Sequence, residues 1–194
     1  IWVQGCPKSC PGCISPDARP VNGGESVSVS ELAEWILGTG GIEGVTISGG
    51  EPMLQSEALF DLITEVRQAC NLGVVCYTGF TIEELIQEGT SEQKLLLKEI
   101  DMLIDGPYIQ EKHENLLWRG SSNQRLIPLS GRYRESIVRL TPNNDRTAGM
   151  QFFLDHHGIP GYYGVPHVPG FDEKFLSEME RRGVNIRKEK ETRQ

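Results

Sequence analysis

The chain has 194 residues, 38% hydrophobic and 24% charged, which suits one soluble globular domain able to bury a core without disulfide support. Nineteen basic against 27 acidic residues leave a net charge of −8, so neither nucleic acid nor an anionic membrane surface is the expected partner. No run approaches the roughly 20 apolar residues of a membrane helix, and five cysteines, three of them crowded, point to a reducing, cytoplasmic setting. The chain opens at Ile1 without a methionine, which leaves room for an upstream segment.

Ile1-Trp2-Val3 reads as a strand running into a cysteine loop, and the Pro-, Gly- and Asn-rich stretch from Ser15 to Ser26 as a surface loop. Ser28 and Glu31 have the spacing of a capping box, followed by Val29, Leu32, Ala33, Ile36 and Leu37 at helical period. Gly44 to Ser48 is a β-rich run ending in Gly49-Gly50-Glu51-Pro52. Ser56 is the expected cap of a helix with the apolar stripe Leu59, Leu62, Ile63, Val66 and Cys70, and Gly73 to Tyr77 is the next strand. Thr81 and Glu84 form a second capping box, Ser91 to Ile100 is helical, and Asp101 to Asp105 is a strand. Beyond it the rhythm loosens: Tyr108 to Trp118 reads as irregular or briefly helical, and Arg119 to Arg125 as a polar turn. Glu135 to Leu140 and Met150 to Leu154 have strand character, with the hydrophilic Thr141 to Thr147 between them. Gly158 to Gly170 is too rich in proline and glycine for a helix, and Phe171 to Arg182 is a terminal amphipathic helix before a charged tail.

Alternating strands and helices with short connections imply a parallel sheet with right-handed crossovers. Four or five such units are too few to close an eightfold barrel, so the expected fold is α/β, an incomplete, open (β/α) barrel. Its core spans residues 1–140, with 141–194 as a C-terminal extension packed on it. In such architectures the reactive residues gather at the carboxyl ends of the strands. The cysteine loop, Gly49 to Pro52, Thr78-Gly79 and Asp105-Gly106 all fall there.

Cys6, Cys10 and Cys13 place three thiols on one short loop with two prolines and a glycine between them. Thiolates select zinc, cuprous copper or iron–sulfur clusters. Structural zinc takes four protein ligands, so a local set of three leaves one metal position open to a substrate or cofactor. The plainer alternative is a structural zinc site completed by Cys70, Cys76 or a histidine, but Cys70 and Cys76 read as small core residues, and His113, His156, His157 and His167 match no ligand spacing. Gly49 and Gly50 allow a ligand to lie against bare backbone, and Glu51 beside them is an acceptor for an ammonium group. Thr78 and Asp105, at matching strand ends, are candidates for hydrogen bonds to a cofactor or for a small cation, against the plainer role of Asp105 as a turn cap. Tyr162, Tyr163 and His167 are weaker candidates for a partner contact, with a packed loop as the plainer reading.

The Cys6, Cys10, Cys13 spacing followed by Gly49-Gly50-Glu51-Pro52 resembles the radical S-adenosylmethionine (radical SAM) enzymes. Four further stretches, Cys10 to Cys13, Tyr77 to Phe80, Asp101 to Tyr108 and Trp118 to Arg125, resemble the anaerobic ribonucleotide reductase activating proteins among them. The resemblance covers about residues 1 to 127 and thins beyond Leu129. It implies that the three cysteines hold three irons of a [4Fe-4S] cluster and that Gly49 to Pro52 receives the methionine amino group of SAM. It further implies that one electron from the cluster, supplied by a donor such as flavodoxin or ferredoxin, splits SAM to a 5′-deoxyadenosyl radical. That radical takes a hydrogen from a glycine of a partner glycyl radical enzyme of the anaerobic ribonucleotide reductase type. A peptide or small-molecule substrate under the same chemistry, and a zinc-stabilised binding module without turnover, are the rival readings. Gly12 stands where many radical SAM enzymes carry an aromatic residue against the adenine, and Ile14 follows the third cysteine where an aromatic residue or histidine is common, so Ile14 is the expected adenine contact.

Overall fold

Short apolar runs that end in glycine or turn residues build a central sheet, with helices formed by the stripes between them. The structure, a computed structural model, describes residues 1–146, 151–154, 160–163 and 171–183. In chain order, β1 (Trp2–Val3), α1 (Val29–Gly38), β2 (Gly44–Gly49), α2 (Ser56–Ala69) and β3 (Gly73–Tyr77) follow the expected alternation. It continues through α3 (Ile82–Gln87), α4 (Ser91–Glu99) and β4 (Met102–Asp105). The strands β1 to β4 are parallel neighbours in sequence order.

After β4 the chain does something the polar composition hid. β5 (His113–Leu116) and β6 (Arg119–Ser121) form an antiparallel pair, and β7 (Arg125–Pro128) then lies antiparallel on β4 as the fifth strand of the sheet. The stretch expected to be irregular and the expected polar turn are therefore a hairpin and the approach to an edge strand.

One row of side chains crosses the sheet through the register Ile47↔Cys76, Cys76↔Leu103 and Leu103↔Ile127, and its first three members are completely buried. This row faces the helices, where α2 packs between α1 and α4 and contributes Leu59, Leu62, Ile63 and Val66 to the core. Ser28 caps α1 by accepting from Glu31 N at 3.2 Å, and the Thr81–Glu84 capping box of α3 is complete. Thr90 and Gln93 form a further box at α4. Ser56 is not a cap. A 3₁₀ turn over Pro52–Gln55 feeds straight into α2, so Ser56 is already helical and buried. Glu135 to Leu140 is not a strand either: α5 (Arg134–Val138) forms there, with an Arg139–Glu135 ion pair one turn apart, and it lies beside β7 without pairing to it.

Past the core, β8 (Gln151–Leu154) pairs antiparallel with β9 (Pro160–Tyr163), and α6 (Phe171–Arg181) forms as its amphipathic pattern requires. Phe152 of β8 meets Phe171 and Phe175 of α6 with ring centroids 6.5 and 5.7 Å apart. The turn after α5 is tied to the hairpin, since Asp145 pairs with Arg119 and accepts from Leu117 N at 3.3 Å. His156, His157, His167 and the charged tail after Gly183 lie outside the described residues, as do the side chains of Tyr162 and Tyr163. No helix among the described residues is long and apolar enough to cross a membrane.

Asp101 locks the amino end of β4 to its surroundings. Its oxygens accept from Val74 N at 2.9 Å, Arg67 at 2.9 Å and Ser130 Oγ at 2.5 Å. Asp101→Ala is expected to cost about 2–3 kcal/mol by stranding these donors, less than for a fully buried pair because the Arg67 side chain is 26% exposed. Urea denaturation of the two proteins measures it.

Candidate iron–sulfur site

The cysteine loop starts where β1 ends, and its base is fastened on two sides. The parallel ladder between β1 and β2 runs on past the strands: Gly50 N donates to Val3 O at 2.7 Å and Glu51 N to Gly5 O at 2.8 Å. On the other side, Gly5 N donates to Ala18 O at 2.8 Å and Cys6 N to Arg19 O at 2.9 Å. The loop and the Gly49 to Glu51 turn are thus one hydrogen-bonded unit at the carboxyl ends of the parallel strands.

That unit changes the role of the glycines. Gly49 has φ +102°, and a Cβ there would stand 2.5 Å from Val3 O; one on Gly50 would stand 2.3 Å from Gly5 O. Their bare backbones are approached by the chain itself. The packing of the chain therefore already requires these glycines, apart from any ligand expected beside them.

Glu51 is 1% exposed and fully engaged. Its Oε1 accepts from Met53 N at 3.0 Å and Thr78 Oγ1 at 2.8 Å, and its Oε2 accepts from Gly79 N at 2.8 Å. Burial pushes its carboxyl above the ordinary range, while these donors and the charge of Lys8 pull the other way. Pro52 opens the 3₁₀ turn beneath it. Thr78, also buried, uses its hydroxyl to hold Glu51 and to accept from Phe80 N at 3.1 Å. Asp105 has both oxygens taken within the chain: it pairs with Arg125 and accepts from Ile82 N at 2.8 Å at the start of α3. The role is structural, but its partners are the preceding α3 and β7 and not the turn that follows, and Arg125 joins Asp105 to Glu83 as well.

Cys6, Cys10 and Cys13 are free and partly exposed, with Cys13 N donating to Cys10 O at 3.3 Å to close the turn between them. Burial, then the charges of Glu51 and the other two thiols, raises the Cys6 thiol against the lowering effect of the Lys8 backbone N–H. The other cysteines are where the sequence placed them. Cys76 is completely buried in β3, and Cys70 ends α2 with its sulfur 3.5 Å from Val66 O. Among the described residues, no three His, Cys, Asp or Glu side chains gather as a single ion would need.

Gly12 has φ +69°, and a Cβ there would meet Gln110 at 3.3 Å and the Tyr108 ring at 3.4 Å. Tyr108 in turn bonds His113 Nδ1 at 3.1 Å, so the segment before the hairpin leans on the cysteine loop. Ile14 is 61% exposed. The face of the sheet away from the helices carries a cleft of about 220 Å³ over Thr46, Val75, Tyr77 and Met102, rimmed by Trp118 and Tyr133. Trp118, at the hairpin tip, has φ +59°, and Tyr77 Oη donates to its carbonyl at 2.8 Å. A bulky residue in that backbone region is uncommon and is held by its surroundings. Sequence reasoning missed this cleft, because Trp118 reads as one more residue of a polar stretch.

Residues 1–127 match the family described as a 4Fe-4S single cluster domain. The chain belongs to that family. Its relatives are anaerobic ribonucleoside-triphosphate reductase-activating proteins: that of Haemophilus influenzae is 31% identical over 135 residues, covering 64% of this chain and 83% of the relative. The Vibrio cholerae protein matches at the same identity and coverage, and that of phage T4 is 29% identical over 131 residues, covering 65% and 80%. The chain is one of these iron–sulfur activating proteins, as its motifs predicted.

Glu51→Gln turns an amide N–H₂ toward donors that need an acceptor. It is expected to lower stability by about 1–3 kcal/mol. Thr78→Val, which removes one donor, is expected to cost about 1 kcal/mol. Denaturation of the metal-free proteins reads both without interference from a cluster.

Proposed function

We propose that this protein is a radical SAM activase for a glycyl radical enzyme, the partner being of the anaerobic ribonucleotide reductase type. Cys6, Cys10 and Cys13 would hold three irons of a [4Fe-4S] cluster, and SAM would bind through its amino and carboxylate groups at the fourth. When bound, this pair supplies a 5′-deoxyadenosyl radical, at the cost of one electron from a donor such as flavodoxin or ferredoxin, and the radical removes a hydrogen from a partner glycine. The observation that carries the reading is the fastening of the cysteine loop to the Glu51 turn through Gly5 O and Val3 O, which fixes thiols and carboxylate together at one end of the sheet.

The rest of the assignment follows from what each side chain has free. Burial pushes the Glu51 carboxyl above its ordinary range, so a neighbouring amino group that donates to it or carries positive charge relieves the cost of its charge. The parallel strands are read as part of an incomplete, open barrel, with 141–194 as an extension beside it. Its unclosed side leaves the cleft under Trp118 accessible to an extended segment of the partner. Aromatic rims of this kind hold peptide backbone with little entropy loss.

Anaerobic reconstitution followed by reduction and SAM tests the reading. The expected result is release of 5′-deoxyadenosine and, with an anaerobic ribonucleoside-triphosphate reductase added, a glycine-centred doublet in the electron spin resonance spectrum. Absence of both overturns it. Cys10→Ala is expected to lose the iron and all SAM cleavage, as measured by iron content and product release. Trp118→Ala is expected to retain 5′-deoxyadenosine release without the partner while the glycyl radical yield falls by about tenfold or more.

A further inference from the structure

Between Cys6 and Cys13 no backbone hydrogen bond reaches the sheet; the fastenings lie at Gly5 and Cys6, and the Cys13 to Cys10 bond is internal. Something else must fix the loop's middle. Lys8 lies there, and its ammonium nitrogen sits 4.2 Å from the centroid of the Phe80 ring, across the site at the end of β3. Its aliphatic stem runs flat along Gly79, where a Cβ would come within 3.3 Å of Cγ and 3.4 Å of Cε. No salt bridge among the described residues includes Lys8; its ammonium lies over the ring, near enough to Glu51 and Glu84 for its charge to act on both carboxylates.

We propose that Lys8 is a positioning residue: through its contact with the Phe80 ring it straps the cysteine loop to the Thr78-Gly79-Phe80 turn. The contact ties one thiol-bearing loop to the same turn that grips Glu51 through Gly79 N, so the two halves of the site keep a fixed spacing. A Cβ at Gly79 would crowd both the Lys8 stem and Glu51 Oε2, so the glycine lets the stem lie close along the turn. The inference rests on the reading of this loop as the cluster site only for its consequence, not for its geometry.

The test is iron release to a ferrous chelator from the reconstituted protein, beside the alkylation rate of the thiols in the metal-free protein. Lys8→Met, which keeps the stem and loses the charge, and Phe80→Leu, which keeps an apolar side chain and loses the ring face, are each expected to speed both processes about two- to fivefold. The double variant is expected to be no faster than either single one, because each removes the same contact. Lys8→Arg is expected to restore the wild-type rates, since guanidinium also sits on aromatic faces. Melting temperatures should stay equal for wild type, Lys8→Met and Lys8→Arg, separating loop positioning from general destabilisation. Wild-type rates in Lys8→Met, or additive effects in the double variant, overturn the strap. Should no variant assemble a cluster, the functional reading fails and the alkylation rates alone decide: faster in Lys8→Met supports the strap, unchanged overturns it.

Discussion

A single buried carboxylate holds the site together. Glu51 draws the amide of Met53, the amide of Gly79 and the hydroxyl of Thr78 onto two oxygens, and so fixes the turn after β2 against the turn after β3. Taking a carboxylate out of water costs several kcal/mol, and hydrogen bonds to it return part of that. Its raised pKa says that burial outweighs the donors. The interaction therefore buys geometry more than stability, and it leaves a charge that a cation nearby would ease.

The sheet exists in a form that serves this contact. Parallel pairing of β1, β2 and β3 brings the ends of all three strands to one edge, and the ladder that continues through Gly50 and Glu51 carries the cysteine loop with it. Gly49 and Gly50 are needed because two backbones close to within a distance no Cβ tolerates. At the far side, Asp105 and Arg125 join β4, β7 and the start of α3, so the antiparallel strand is anchored to the same end. The motif residues thus divide into those that form the site and those that brace it.

The local signals were readable because they depend only on neighbours in the chain. The serine cap at Ser28, the capping box at Thr81, apolar stripes in α1 and α2, and the runs that became β2, β3 and β4 follow from periodicity and turn chemistry. The misses follow from partners far along the chain. Arg125 to Pro128 is a strand because β4 offers it an open edge, whereas Ile137 and Val138 are helical beside β7 and do not pair with it. Ser56 lost its cap role to a turn started by Glu51, five residues earlier.

By itself the sequence determined the chemistry: three thiols at close spacing, an acid after two glycines, and an alternation that sends both to the same edge of a parallel sheet. What only the tertiary structure decided is how the pieces bear on one another. It turned Thr78 toward Glu51, Asp105 toward Arg125, the glycines toward neighbouring backbone, and Lys8 onto Phe80. The division has a physical cause, since ligand type is set by the atoms a residue carries. Its direction, burial and free valence are set by which distant strand or turn arrives beside it.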